Sequence, residues 1–195
     1  MRELFWGPKR FSDLRAGLSG LSANVLTQRL EGLEAAGIVM RRKLPPPASV
    51  QVYDLTEWGR ESEPIFQALG RWAARSPSHD PRKPFSASSL LLSLRTMFDA
   101  RVAKDASVRI GFVLGEERFL ATIGDGEIAI THDDLADTDV IFAGKPQVIA
   151  AAIYGGRDLA SLESSGALSL VGNRRLAKRF LTWFPLPEKV SVPSS

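Results

Sequence analysis

The chain contains no cysteine among its 195 residues and has only two histidines. Without a thiol it can form no disulfide and offers no cysteine nucleophile, and these residues cannot sense redox state through thiol chemistry. The lack of disulfides fits a protein of the reducing cytosol.

Long apolar runs and catalytic motifs are also missing. No stretch could span a bilayer, and the opening MRELFWGPKR lacks the apolar core of a signal peptide, so we expect a cytoplasmic protein without membrane contact. There is no phosphate-binding G-x-x-x-x-G-K-(S/T) loop, and no G-x-S-x-G elbow accompanies His132. The acidic segment 132–139 lacks the ligand spacing of a calcium or zinc site, which favours a solvated loop. We therefore expect neither an enzyme nor a metal or cofactor.

The composition is that of a globular protein with one or two domains, because 44% of the residues are hydrophobic and 24% are charged. The formal net charge is +3. Residues 1–75 carry eleven Lys/Arg against eight Asp/Glu, whereas residues 86–195 carry twelve against thirteen. This basic excess of the first part is modest, so charge alone would not indicate nucleic acid.

Residues 11–37, FSDLRAGLSGLSANVLTQRLEGLEAAG, have the pattern of two short helices joined by a tight turn. Apolar residues recur at three- and four-residue spacing in the first helix, and Gly20 lies in the turn. Ser22 can cap the second helix, and Gly37 ends it. This pattern predicts a helix-turn-helix.

The second helix of this motif has a polar face opposite a stripe of leucines. Asn and Gln at the start of such a helix can read adenine in the major groove of DNA, and Thr can contact a thymine methyl group. A solvated helix face without DNA is the alternative. The candidate residues for DNA reading are Ser22, Ala23, Asn24, Thr27 and Gln28.

A basic hairpin is predicted directly after this helix. Residues 38–43 form a strand-like run that ends in three cations, residues 45–47 are prolines, and residues 50–55 return with alternating polarity. A helix-turn-helix followed by a basic hairpin predicts a winged helix, whose wing lies along DNA phosphates. The candidate phosphate-binding residues of the wing are Arg41, Arg42 and Lys43, and Lys9 and Arg10 are further candidate DNA-binding residues.

The segments GPKRFSDLRAGL, LSANVLTQRLEGLEAAGIVMRR and VYDLTEWGRE resemble the HxlR group of bacterial winged-helix regulators. The likeness extends from Gly7 to about Trp72. It implies double-stranded DNA as a partner and a homodimer. Members of the group carry a further helix before GPKRF, so the resemblance implies that only RELFW of a truncated first helix is present here.

Thr56 can cap a helix that runs to about Ala74 and is interrupted at Pro64. In the HxlR group this helix packs against the second subunit, which makes Trp58 and Trp72 candidates for the dimer contact. The alternative is that both tryptophans belong to the core of their own domain. Residues 76–87 are rich in proline and charge, and we interpret them as a semi-extended domain linker.

The second half of the chain is predicted to be an α+β domain. A helix is expected from about Ser88 to Lys104. Short β-branched or aromatic runs separated by glycine turns predict a mainly antiparallel, five-stranded sheet. The predicted strands cover residues 108–114, 119–123, 127–131, 140–143 and 167–171.

The segments DTDVIFAGKPQVIAAAIYGG and GALSLVGNRRLAKRFLTWF resemble sterol-carrier-protein domains of the second type, over about Leu90 to Phe184. The resemblance implies an apolar tunnel for a lipid or acyl chain. An ordinary filled core is the alternative, because sequence does not distinguish a core from a cavity. The residues that would line the tunnel are Leu94, Phe98, Phe112, Ile149, Ile153, Leu176, Phe180 and Trp183.

Three segments are thus predicted: a winged-helix DNA-binding domain over residues 1–75, a linker over 76–87 and a sterol-carrier-like domain over 88–195. The functional hypothesis is a homodimeric, DNA-binding transcriptional regulator whose second domain senses an apolar ligand. The alternative is a lipid-carrier or scaffold protein whose winged helix mediates protein association. The basic wing and the polar helix face favour the regulator, since an association module needs neither.

Overall fold

The computed structural model describes residues 1–18, 20–78, 80, 83 and 85–191. Its contacts divide the chain into an amino-terminal unit, Met1–Ala68, and a carboxy-terminal unit, Leu69–Ser195. This boundary lies inside a helix, whereas the sequence suggested a boundary at residue 75. Four residues of the expected linker lie outside the described residues: His79, Pro81, Arg82 and Pro84.

The amino-terminal unit contains a helix-turn-helix followed by a two-stranded hairpin, as the sequence predicted. A short 3-10 turn, Arg2–Leu4, precedes them. The elements are α1 (Phe11–Gly17), α2 (Ala23–Ala35), β1 (Val39–Lys43), β2 (Gln51–Leu55), α3 (Glu57–Glu61) and α4 (Glu63–Ala74), whose last residues belong to the carboxy-terminal unit.

Both ends of α2 are fixed by local hydrogen bonds. At the start, the Ser22 hydroxyl accepts the Val25 N–H at 3.3 Å. At the end, the Gly37 N–H donates to the Glu34 carbonyl and the Ile38 N–H donates to the Leu33 carbonyl, both at 2.9 Å. Gly37 has a φ of +72°, which favours glycine and completes a Schellman cap. The helix therefore occupies a defined span.

The core of this unit joins the helices to the hairpin. Its buried members are contributed by the 3-10 turn, both helices and both strands: Leu4, Leu14, Leu26, Leu30, Val39 and Leu55. Burial of leucine and valine side chains of this kind stabilises a fold by about 1.5–3 kcal/mol each. The apolar side of α2 is thereby held against the hairpin, and its polar side faces away from the core.

Strand β2 is paired on both edges. It pairs antiparallel with β1, with Arg41 opposite Tyr53 and Arg42 opposite Val52. On its other edge, Lys9 and Tyr53 exchange backbone hydrogen bonds of 3.0 and 2.9 Å. Because neighbouring residues of a strand project to opposite faces, Arg41 and Arg42 lie on opposite faces of the hairpin.

The segment LTEWG closes the unit behind the hairpin. The Thr56 hydroxyl accepts the Gly59 N–H at 3.0 Å, which caps α3, and donates to the Gly37 carbonyl at 2.7 Å. A Cβ atom at Gly59 would overlap the Ile38 carbonyl oxygen, so α3 approaches closer than another residue would allow. The expected break near Pro64 is present, because α3 ends at Glu61 and α4 begins at Glu63.

The carboxy-terminal unit is an α+β structure with a five-stranded sheet, which confirms this part of the prediction. The strand order is β5-β4-β3-β6-β7, and all neighbours are antiparallel except β3 and β6. The elements are α5 (Ala87–Met97), α6 (Ala100–Ala103), β3 (Val108–Leu114), β4 (Glu117–Gly124), β5 (Glu127–His132), β6 (Val140–Gly144), α7 (Pro146–Tyr154), α8 (Leu159–Ser164), β7 (Leu168–Gly172) and α9 (Arg174–Leu181).

The prediction of a single helix from about Ser88 to Lys104 is wrong, because α5 ends at Met97 and Phe98 leaves the helical conformation. Phe98 has φ −56° and ψ 127°, and Asp99 then caps the separate helix α6. The Asp99 N–H donates to the Trp183 carbonyl at 2.9 Å. The Asp99 N–H is therefore not used in a helical hydrogen bond. It links the junction between α5 and α6 to the segment that follows α9.

Candidate nucleic-acid interface

The polar face of α2 is exposed as the sequence suggested. Leu26 and Leu30 are only 3% and 4% exposed, whereas the side chains of Asn24, Thr27 and Gln28 are exposed. These three residues lie within little more than one helical turn, so they form one surface. Amide and hydroxyl groups on such a surface can hydrogen-bond base edges.

Two other predicted members of this surface have mainly structural positions. Ser22 is exposed, but its hydroxyl is used in the cap of α2. Ala23 is half-buried at the first position of the helix. They place the polar face and offer little hydrogen-bonding capacity of their own.

Arg41, on the wing, is held by an acidic residue of α2. Its Nε and Nη2 atoms lie 2.9 and 2.8 Å from Oε2 of Glu34. The guanidinium also lies over the Tyr53 ring, 5.6 Å from its centroid. The hydrogen bond to Glu34 raises the pKa of Arg41. Arg41 thus ties the wing to α2.

Arg42 is held on the opposite face of the hairpin. Its Nε and Nη2 atoms donate to Oδ2 of Asp54 at 3.0 and 2.9 Å. Nη2 of Arg60, in α3, donates to Oδ1 of the same carboxylate at 2.5 Å. Sequence reasoning did not single out Arg60 or Asp54, since nothing in the spacing of LTEWGRE indicates that they meet.

The other predicted cations are Lys9, Arg10 and Lys43. Lys9 is half-buried and bonds to β2 through its backbone. Arg10 precedes α1, and its backbone N–H donates to Oδ2 of Asp13 at 3.2 Å. The side chains of Arg10 and Lys43 are exposed. These two can therefore approach a phosphate without first leaving a buried position.

The residues predicted to line a tunnel are mostly packed into the core of the carboxy-terminal unit. Phe98 and Leu176 are half-buried. The buried ones are Leu94, Phe112, Ile149, Ile153, Phe180 and Trp183. The Phe180 ring lies 6.0 Å from Phe112, 5.6 Å from Trp183 and 4.9 Å from Phe184, centroid to centroid. Such aromatic packing favours the filled-core alternative.

An open cleft of about 540 Å³ lies elsewhere on this unit, beside the end of α7 and along α9. Of the predicted lining residues, Ile153 borders it. Its other apolar walls include Leu159, Leu181 and Phe184, and its charged lining residues are Arg157, Asp158 and Lys178.

Within the described part of the chain, no helix is long and apolar enough to cross a membrane. The same residues contain no group of three or more His, Asp or Glu side chains arranged to hold a metal ion.

The amino-terminal segment is similar to known regulators. Residues 1–80 match the family model of the HxlR-like helix-turn-helix. An uncharacterized HTH-type transcriptional regulator of Bacillus subtilis, YvaP, is 38% identical over 71 residues, which are 36% of this chain and 66% of that protein. The chain spans between about half and two thirds of the length of the curated relatives it matches.

Two solved structures are also similar to parts of the chain. The reduced form of the transcriptional regulator YodB from Bacillus subtilis is 34% identical, with a TM-score of 0.36, and covers 40% of this chain and 78% of YodB. The sec-alkylsulfatase Pisa1 from Pseudomonas sp. is 14% identical, with a TM-score of 0.48, and covers 59% of this chain and 19% of that enzyme. The likeness to Pisa1 is too weak to assign a function.

Proposed function

We propose that this chain, whose residues 1–80 match the family model of the HxlR-like helix-turn-helix, is a transcriptional regulator that binds double-stranded DNA through α2 and the wing. The observation that carries the proposal is the exposed surface of Asn24, Thr27 and Gln28 on a helix whose other side is buried. Side chains of these types can distinguish base pairs in the major groove. The curated relatives are named as regulators and not as enzymes, which supports a binding role.

A mobility-shift experiment tests this proposal. The probe is the DNA that flanks the gene for this chain, and the matched control is a duplex of the same length and scrambled sequence. A regulator should shift the flanking DNA at lower protein concentration than the scrambled duplex. No binding to either duplex would favour the alternative of a lipid-carrier or scaffold protein with a non-DNA winged helix. Equal affinity for both duplexes would contradict sequence-specific recognition.

We further propose a homodimer that forms along α4. The structure describes every residue of this helix, and none of them is buried. Ile65, Leu69 and Trp72 recur at helical spacing, and all three are exposed. The tryptophans Trp58 and Trp72 are 60% and 72% exposed, so the intradomain-core alternative for them is wrong. A second copy of the chain would cover this apolar stripe, as the resemblance to the HxlR group implies.

The cleft beside α9 supports an apolar ligand for the carboxy-terminal unit. In place of the tunnel, we propose this cleft as the site, with Arg157 and Lys178 binding the anionic end of a fatty or acyl molecule. If the ligand regulates DNA binding, linkage requires that operator DNA change ligand affinity by the same factor. A fluorescent fatty-acid probe tests this: equal probe affinity with and without DNA would remove the coupling.

DNA binding also implies that the protein works in the cytoplasm, where bacterial DNA is found. This remains a proposal, as does the absence of membrane contact.

A further inference from the structure

Two arginines from different elements converge on one buried carboxylate in the amino-terminal unit. Arg42 of β1 donates twice to Oδ2 of Asp54, and Arg60 of α3 donates to Oδ1. Oδ1 also accepts the Leu55 N–H at 2.9 Å. Asp54 is only 6% exposed, so its charge is held by these four hydrogen bonds and is poorly accessible to water.

The two guanidinium groups, in contrast, are accessible. The side chains of Arg42 and Arg60 are 41% and 45% exposed. A guanidinium has five N–H donors, and Asp54 engages two nitrogen atoms of Arg42 and one of Arg60. Each arginine therefore retains donors that this carboxylate does not use. Two cations against one anion leave the cluster with a net positive charge.

We propose that Arg42 and Arg60, held side by side by Asp54, form one binding site for a phosphate of the DNA backbone. The proposal rests on the proposed DNA binding and adds to it a residue, Arg60, that lies outside both α2 and the wing. Guanidinium groups match the geometry of phosphate oxygens and bind them bidentately. The site would place one phosphate beside the wing.

Asp54 acts in this site as a positioning residue. Two adjacent guanidinium groups repel each other, and each ends a long side chain with many rotamers. The shared carboxylate removes the repulsion and fixes both rotamers before DNA arrives. Binding then requires less ordering, which is the usual advantage of a preorganised site.

The first test replaces Arg60 with Gln and measures binding to a short fluorescein-labelled duplex of arbitrary sequence, since phosphate contacts do not depend on sequence. Between about 50 and 200 mM salt, the slope of log K against log salt should fall by about one relative to the unsubstituted protein. Arg101→Gln is the matched control, because Arg101 is exposed and also pairs with an aspartate, Asp99. Its slope should not change.

The second test separates positioning from charge. Asp54→Asn and Glu61→Gln both remove one negative charge, and Glu61 is an exposed neighbour in α3. Simple electrostatics predicts tighter DNA binding for both variants. We expect tighter binding for Glu61→Gln only. Asp54→Asn should bind DNA at least about threefold more weakly than the unsubstituted protein, because Arg42 and Arg60 are no longer held together. Asp54→Asn binding as tightly as Glu61→Gln would overturn the positioning role.

The outcomes also distinguish this site from the proposed function. If the unsubstituted protein shows no salt-dependent binding to any duplex, DNA binding itself is wrong. If it binds with a steep salt slope that Arg60→Gln leaves unchanged, only the Arg42–Arg60 site is wrong. Thermal melts confirm that each variant is folded. If Asp54→Asn does not fold, the salt slope of Arg60→Gln alone decides whether the Arg42–Arg60 site binds a phosphate.

Discussion

At the scale of one residue, the Asp99 carboxylate stabilises the start of α6 after the break between α5 and α6. It accepts the Arg101 N–H at 2.9 Å and two guanidinium donors of the same residue at 3.0 and 2.7 Å. The side-chain hydrogen bond from Arg101 lowers the pKa of Asp99 from 3.8 to about 2. The charged form of Asp99 is therefore favoured in the folded protein.

This shift predicts a pH dependence of stability. Because the folded-state pKa of Asp99 lies below the unfolded value, its contribution is present above about pH 4 and is lost as the pH falls to about 2. Asp99→Asn should therefore reduce the loss of stability over this range, measured by urea unfolding at a series of pH values. Asp105→Asn, a change at an exposed aspartate close by, is the control. An unchanged pH profile for Asp99→Asn would contradict the prediction.

Base reading is also a property of single residues. Asn24→Ala or Gln28→Ala should relax selectivity at one base pair of each half-site, at a cost of about 1–3 kcal/mol if the contact is bidentate. The measurement is competition binding against duplexes with single base-pair changes. Gln147→Ala removes an exposed glutamine of the carboxy-terminal unit and should leave selectivity unchanged. Wild-type selectivity in both α2 variants would mean that α2 does not read bases.

The sequence indicated which residues of this surface are polar or basic, but not their partners. The exposed face of α2 follows from helical periodicity, which is a local property. Arg41 and Arg42 were predicted as phosphate contacts from their place in a basic run. Their ion pairs with Glu34 and Asp54 depend on the register of the hairpin and on the positions of α2 and α3, which a linear pattern does not contain.

At the scale of elements, glycine positions decide how closely α3 can pack. Gly59→Ala should lower the free energy of unfolding by about 1–3 kcal/mol, because the new Cβ would overlap the Ile38 carbonyl. Gly32→Ala is the matched control in α2, where a Cβ would meet no atom within 4 Å, and should raise stability by about 1 kcal/mol. Chemical denaturation of both variants tests the pair. Equal effects of the two substitutions would contradict the close approach at Gly59.

The elements themselves were predictable where their signals are local. The five strands of the carboxy-terminal unit were placed within about two residues, since each is a β-branched or aromatic run bounded by turn residues. The helix break at Phe98 was missed because apolar spacing continues through it. What ends the helix there includes a hydrogen bond to the Trp183 carbonyl, far away in the sequence.

At the scale of the whole molecule, the apolar stripe of α4 predicts a dimer. Leu69→Glu should shift the protein toward the monomer, because a charge would be placed in the contact between two copies. Light scattering coupled to size-exclusion chromatography measures the mass. Val102→Glu changes another exposed apolar residue, outside α4, and should leave the mass unchanged. A wild-type protein that is monomeric at micromolar concentration would contradict the dimer.

The packing of the carboxy-terminal unit does not support the apolar tunnel that the resemblance to sterol-carrier-protein domains implied. The predicted lining residues are indeed mostly buried, and aromatic residues dominate the cluster around Phe180. An apolar pattern in the sequence indicates that side chains are buried, but not whether they pack against one another or against a ligand. That difference depends on how completely the side chains fill the space between the layers.

The most direct test of the account is nuclease protection of the DNA that flanks the gene, with the full chain. We predict protection of two half-sites about 34 Å apart, or a multiple of that distance, because a dimer presents two copies of α2 to one face of the duplex. The combined Asn24→Ala and Gln28→Ala variant should lose this pattern while keeping weak, uniform binding through phosphates. Absence of protection, or a pattern that this variant leaves unchanged, would contradict DNA reading by α2.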